Sequence, residues 1–302
     1  MTAPLVILGP TASGKSDVAM AYAAATPFAE IVAVDAMQGY RRMGVGTAKP
    51  TAADRAAVPH HCLDLAEPSD DFAVTQFAAA AGTALEDIDR RGGRAVLVAG
   101  TGLYLRAITD PMEVPGRWPE VRVSLEQRAA VEGSPALHAE LAALDPLAAS
   151  RMEPSNERRV VRALEVCLGS GRTFSSFGPG LNHYPPVPFE QVGLQWPRDL
   201  LTRRIAERVQ RMMSVGLLAE VESLLAEPGG LSRTAQQALG YKELIAYLVG
   251  DVSLDEAVNS IVLRTRQFAV RQERWFRRDP RIRWVRIEHD PVAEVLPLLL
   301  AP

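Results

Sequence analysis

Gly9-Pro10-Thr11-Ala12-Ser13-Gly14-Lys15-Ser16 sets glycines, a lysine and a hydroxyl at the spacing G-x-x-x-x-G-K-S. Such a loop grips phosphate: backbone N–H groups converge on the anion, Lys15 reaches its outer oxygens, and Ser16 offers a hydroxyl to Mg²⁺. Every residue of the loop is therefore a candidate ligand of a di- or triphosphate. The loop alone does not say which compound is bound or what is done with it. Asp35 is the second candidate. It ends an apolar run and is followed by Gln38 and Tyr40, groups suited to a nucleobase. It can act as a general base, reach a metal through water, or cap the next element. Thr101, in Gly100-Thr101-Gly102, follows a third apolar run. Phosphotransferases with this loop usually end that strand in an acid that holds Mg²⁺, and none stands there.

These residues need a scaffold that brings them together. Leu5–Leu8, Ile31–Val34 and Ala95–Ala99 read as buried strands. Helices are predicted from Ser16 and over Phe72–Asp89, the latter with Ser69 and Asp70 as cap candidates and a stop at Gly92-Gly93. Strands alternating with helices imply a parallel sheet covered on both faces, and ligands then sit beyond the carboxyl ends of its strands. The fold class expected is α/β, a parallel-sheet core of the P-loop NTPase type. From Glu113 to Tyr184 the pattern turns helical, over Val121–Val131, Ala136–Leu144 and Glu157–Leu168, until Pro185-Pro186 and Pro188 mark a linker. A strand returns at Gln191–Trp196. We therefore expect a catalytic core of residues 1–112 and 187–302 and a helical insertion of residues 113–186. In the last third, Arg204, Arg208 and Arg211 share a helix face, and Gly216 fits the stop. Ser253–Glu256 is a capping box that opens a long helix, whose stripe from Val258 to Phe276, Gln272 included, reads as core. A short strand is expected at Trp284–Ile287.

The chain has 302 residues, 47% of them hydrophobic and 23% charged, an ordinary globular balance. No run approaches the about 18 apolar residues of a membrane span. The first strand starts too near Met1 for a signal peptide, and the 2 cysteines, Cys62 and Cys167, lie far apart. A cytoplasmic protein with free thiols is the expectation. His60-His61-Cys62 lacks a second ligand cluster, so packing and hydrogen bonding are its expected roles. Net charge is −3, yet arginines gather at Arg151–Arg172, Arg203–Arg211 and Arg264–Arg286. Such clusters are either solvated helix faces or patches for a polyanion.

Taken in order, the motifs resemble those of the bacterial tRNA dimethylallyltransferases, also called tRNA isopentenyltransferases. They are the loop at Gly9–Ser16, Asp35-Ala36-Met37-Gln38-Gly39-Tyr40-Arg41, Gly46-Thr47-Ala48-Lys49-Pro50, Val58-Pro59-His60-His61, Gly100-Thr101-Gly102-Leu103-Tyr104, Arg162-Ala163-Leu164-Glu165-Val166, Gly240-Tyr241-Lys242-Glu243 and Arg271-Gln272-x-x-Trp275-Phe276-Arg277. The resemblance spans nearly the whole chain. It implies transfer of a dimethylallyl group from its diphosphate to N6 of the adenosine 3′ of the anticodon in tRNA, position 37. The loop would then hold a diphosphate leaving group, with Mg²⁺ on Ser16 as cofactor. The resemblance matches Asp35 to the base, Thr101 to a contact with the adenosine and reaction centre, and Lys15 and Arg208 to the diphosphate clamp. Asp35, Ala36, Met37, Gln38, Thr101, Arg122, Arg158, Arg159 and Arg162 match tRNA-contacting positions. The partners implied are a tRNA anticodon arm and dimethylallyl diphosphate, with no membrane and no obligate protein partner. The target base must leave its stack to reach Asp35, which calls for a basic-walled channel between core and insertion. Three positions depart from the pattern: Ala36 stands for a serine, Gly39 for a valine, and Ala99 for a glycine. With Ala36 a hydroxyl contact to substrate or metal is expected to be missing or replaced by water, and Gly39 is expected to loosen its loop. The alternatives are an adenylate isopentenyltransferase acting on free AMP, ADP or ATP, a small-molecule P-loop kinase, and a nucleotide-switched RNA-binding protein.

Overall fold

A computed structural model describes residues 3–301. The chain runs β1 (Leu5–Leu8), α1 (Lys15–Ala25), β2 (Ala29–Val34), α2 (Ala52–Ala57), β3 (His60–His61), α3 (Val74–Arg90), β4 (Arg94–Ala99) and α4 (Gly102–Thr109). It continues through α5 (Pro119–Glu132), α6 (Ser134–Leu144), α7 (Pro146–Ala149) and α8 (Glu157–Ser170). After these come β5 (Glu190–Gln195), α9 (Arg198–Ser214), α10 (Leu217–Leu225), α11 (Tyr241–Leu248), α12 (Leu254–Phe276), β6 (Arg283–Arg286) and α13 (Pro291–Leu300). Two compact units result, one of Met1–Asp110 with Pro186–Pro302, the other Pro111–Pro185. No helix among the described residues is long and apolar enough to cross a membrane.

The larger unit is built on a 6-stranded sheet in the order β3-β2-β4-β1-β5-β6, its neighbouring strands paired in parallel. The fold class is the α/β one expected. β1 is apolar without a break, and β2 is buried along its whole length, because both sheet faces are covered. One core packs under α3, α10, α11 and α12, the other under α1, α9 and α13. Leu8 and Val34 both stand level with Ala99. The loop after β1, Asp35 after β2 and Gly100-Thr101 after β4 therefore leave the same sheet edge side by side.

Several local expectations change. α3 starts at Val74 rather than Phe72, and its cap is Ala73, whose N–H is held by Gln76 Oε1 at 2.8 Å; Ser69 and Asp70 do not cap it. Gly216 is the left-handed residue that ends α9 and also opens α10. α4 and α13 are among the helices that the sequence pattern does not show. Arg106 and the apolar residues of α4 are too few for a clear period, and Pro297 inside α13 masks it.

The smaller unit packs α5, α6 and α8 around Leu125, Leu137, Leu141, Val160 and Leu164. The carboxylate of Glu165, nearly fully buried, accepts from Trp118 N–H at 2.9 Å and pairs with Arg122 at 3.3 Å and Arg162 at 2.8 Å.

Candidate active site

The phosphate loop is shaped from several sides. Gly14 opens α1 at φ 86°, a left-handed conformation, and a Cβ there would collide with Pro291 at the start of α13. Ala12, at φ 63°, is held by its carbonyl, which accepts from Arg204 Nε at 2.9 Å. The same guanidinium stacks 4.3 Å over Trp196, whose indole N–H donates to Ser13 O at 2.9 Å. Arg204 thus braces the loop from outside, although it shares a helix face with Arg208.

Lys15 lies at the start of α1, half-buried, its ammonium donating to Pro10 O at 2.8 Å. Burial strips water from it and Arg208 repels it, so its pKa falls to about 7 against a smaller upward pull from Asp35. Arg208 is also held below the usual arginine value, chiefly by burial, with Arg211 adding repulsion and Asp35 and Asp17 opposing. Arg208 has no hydrogen bond or ion pair among the described residues. Two crowded cations at the mouth of an anion loop form a site that gains from an incoming polyphosphate.

Asp35 is tied into its own loop. Its Oδ1 accepts the N–H groups of Met37 at 2.8 Å and Gln38 at 3.3 Å. Its Oδ2 lies beside Gly100, where an added Cβ would stand 3.3 Å away. Thr101 Oγ1 accepts the Ala36 N–H at 3.3 Å, so position 36 is held through its backbone and needs no hydroxyl for this contact. Gly39 does not leave the loop slack: a Cβ there would meet the Phe72 ring at 2.9 Å, and its carbonyl accepts from Leu65 at 2.7 Å and Ala66 at 3.0 Å. Gln38 donates both amide hydrogens, to Thr47 O at 3.0 Å and Ala48 O at 3.2 Å, and keeps Oε1 as an acceptor.

Gln272 on α12 joins the two halves of the site. Its Oε1 accepts the Thr11 N–H at 2.8 Å and its Nε2 donates to Gly100 O at 2.7 Å. The apolar stripe hid this role, because a buried polar residue at a core position looks like one more core residue; the clue was a glutamine where only apolar residues are needed. Gln272→Leu would orphan two interior groups at about 1–3 kcal/mol each. A lower urea midpoint is the expected result, and an unchanged midpoint would show that the bridge is not formed in solution.

The basic positions divide. Arg122 and Arg162 are engaged with Glu165, and Arg162 also donates to the carbonyls of Pro115 and Gly116 at 2.9 Å. Arg158 and Arg159 are exposed and make no ion pair among the described residues. In the last cluster Arg264, Arg277, Arg281 and Arg283 pair with Glu243, Glu273, Asp110 and Asp279, and Glu190. Arg266, Arg274 and Arg278 stay exposed and unpaired among the described residues. His61 pairs with Glu30 at 2.6 Å and His60 Nδ1 meets Val58 O at 2.7 Å, so both serve the edge strand.

A parallel α/β sheet with a cation-lined phosphate loop beside a strand-end carboxylate defines a P-loop-type enzyme fold. Residues 38–279 match the IPP transferase family and residues 3–63 the isopentenyl transferase family. A tRNA dimethylallyltransferase of Kineococcus radiotolerans is 48% identical over 288 residues, 93% of this chain and 90% of the relative. The full-length tRNA isopentenylpyrophosphate transferase of Bacillus halodurans superposes with TM-score 0.68 at 34% identity, covering 99% of this chain and 96% of that one. A eukaryotic dimethylallyltransferase solved acting on tRNA gives TM-score 0.77 at 25% identity, over 95% of this chain and 74% of the other. The chain belongs to the IPP transferase family.

Proposed function

We propose that this protein transfers a dimethylallyl group from dimethylallyl diphosphate to N6 of adenosine 37, just 3′ of the anticodon, in tRNA. The observation that carries the reading is the pairing of a crowded cationic phosphate loop with a carboxylate at the neighbouring strand end. The loop after β1 binds the diphosphate through backbone N–H groups, Lys15 and Arg208. N6 attacks the allylic carbon, the C–O bond to the diphosphate breaks with its electron pair, and the new C–N bond forms. Lys15 and Arg208 stabilise the charge that builds on the departing diphosphate. Asp35 takes the proton that N6 sheds. Thr101, beside Ala36, lines the acceptor side, and Gln38 Oε1 accepts from the adenine amine. Ser16 is the residue that would hold Mg²⁺. Its hydroxyl is exposed and without a hydrogen bond among the described residues, and this cation usually takes one or two protein oxygens, completing its shell with water and substrate phosphate. When bound, Mg²⁺ neutralises part of the charge on the leaving diphosphate. The same reading assigns the protein to the cytoplasm, where its acceptor is found.

Incubation with labelled dimethylallyl diphosphate, Mg²⁺ and either tRNA or AMP tests this. Label is expected on tRNA; label on AMP but not tRNA would establish the adenylate-modifying alternative, and phosphate transfer from ATP without prenyl transfer would establish a kinase. Arg158, Arg159, Arg266, Arg274 and Arg278, exposed and without an ion pair among the described residues, are the candidate phosphate contacts. Each one that neutralises a phosphate adds about 0.7–0.9 to the slope of log affinity against log salt. Raising salt is therefore expected to weaken tRNA binding far more than dimethylallyl diphosphate binding. Equal sensitivity would argue against these arginines.

A further inference from the structure

Four donors converge on one carboxylate in the loop that follows β2. Glu220, on α10, accepts the N–H groups of Gly44 at 2.8 Å and Val45 at 2.7 Å through Oε2, and that of Gly46 at 3.0 Å through Oε1. The Tyr241 hydroxyl donates to the same Oε1 at 2.5 Å. Successive backbone N–H groups of this kind make an anion-binding concavity, and here the chain's own carboxylate fills it. Tyr241 is fully buried; burial first, then Glu220, push its phenol well above the usual range, so it remains a donor. The turn is closed by Ala48 N–H to Val45 O at 3.1 Å and Lys49 N–H to Gly44 O at 3.0 Å. Lys49 Nζ, nearly buried, donates to Tyr40 O and pairs with Asp64 at 2.6 Å. Gly46 has no room for a side chain, since a Cβ would collide with the Tyr241 ring.

The turn ends at the carbonyls of Thr47 and Ala48, and these take both amide hydrogens of Gln38. Gln38 is thereby oriented with its oxygen free. An amide in that orientation accepts from an exocyclic amine and repels a base carbonyl. Nothing in this chain of contacts touches the phosphate loop, which is braced separately by Gln272, Arg204 and Trp196.

We propose that Glu220 and Tyr241 are positioning residues for acceptor recognition: by filling the nest at Gly44–Gly46 they fix the carbonyls that aim Gln38 Oε1 at the acceptor base. The inference rests on the prenyl-transfer reading above and adds to it the residues that set base selection. Glu220→Gln turns an amide N–H₂ toward donors that need an acceptor, and Tyr241→Phe removes a single donor as a milder change.

The test is steady-state kinetics on Glu220→Gln, Tyr241→Phe, Gln38→Ala and the double variant Glu220→Gln/Gln38→Ala, with a tRNA acceptor. An equal pyrophosphate-induced thermal shift in each variant and wild type shows that the fold and the phosphate loop are intact. Glu220→Gln is expected to raise KM for tRNA about tenfold, with KM for dimethylallyl diphosphate within about twofold, and to add little once Gln38 is already alanine. Tyr241→Phe should give a smaller change with the same split. Equal effects on both substrates, or a Glu220→Gln effect undiminished in the Gln38→Ala background, would overturn the positioning role and leave the proposed activity standing. No transfer by the wild-type protein would overturn both.

Discussion

Asp35→Asn is expected to lower single-turnover prenyl transfer by about 10²–10⁴-fold while tRNA and pyrophosphate affinities stay near wild type. The geometry makes this substitution a clean separation of two roles. Asp35 Oδ1 holds the N–H groups of Met37 and Gln38, and an asparagine oxygen can do the same. The second oxygen, beside Gly100, becomes an amide that cannot accept a proton. If Asp35 were only the cap of its loop, asparagine would replace it at little cost, since both residues serve such turns well. Asp35→Ala, in contrast, should lose acceptor affinity as well as rate, because the loop carrying Gln38 loses its anchor. Quench-flow measurement of label transfer with saturating tRNA distinguishes these outcomes. A rate unchanged in Asp35→Asn would remove Asp35 as the base.

What the sequence discloses here follows from how local each signal is. The phosphate loop and Asp35 are legible because strand, turn and helix are contiguous, and the order of the sheet then brings the strand ends together. Glu220, Gln272 and Arg204 are not legible in that way. Each acts across 172 to 261 residues of chain through one to three hydrogen bonds to backbone. Backbone partners leave no residue-type pattern to read. Charge counting misleads for a related reason. Arg122, Arg162, Arg264 and Arg281 look like part of a polyanion surface, yet each is tied to a buried or nearly buried carboxylate supplied by another element or turn. The departures at Ala36 and Gly39 also take their meaning from the fold. One contact there is made by backbone, and the space a valine would fill is taken by Phe72.

Arg208→Gln is expected to move stability and activity in opposite directions. In the ligand-free protein Arg208 is a poorly solvated cation that repels Lys15 and has no hydrogen bond or ion pair among the described residues, so its removal should raise the melting temperature. The same removal takes away half of the cationic clamp, and kcat/KM for dimethylallyl diphosphate should fall about 10²–10³-fold. Lys15 gives the pH signature. Its folded pKa of about 7 lies below the usual 10.5, so between those values the unfolded chain binds a proton that the folded one lacks. Stability of the ligand-free protein therefore rises with pH across that window, as far as Lys15 contributes. A bound diphosphate restores the ammonium, so pyrophosphate binding near pH 8 should take up protons, seen as a dependence of calorimetric heat on the buffer's ionisation enthalpy. In Arg208→Gln the uptake should shrink, because Lys15 starts out more fully protonated. A ligand-free variant that melts lower than wild type, with undiminished proton uptake, would mean that Arg208 is held by the fold for support and not poised for the diphosphate.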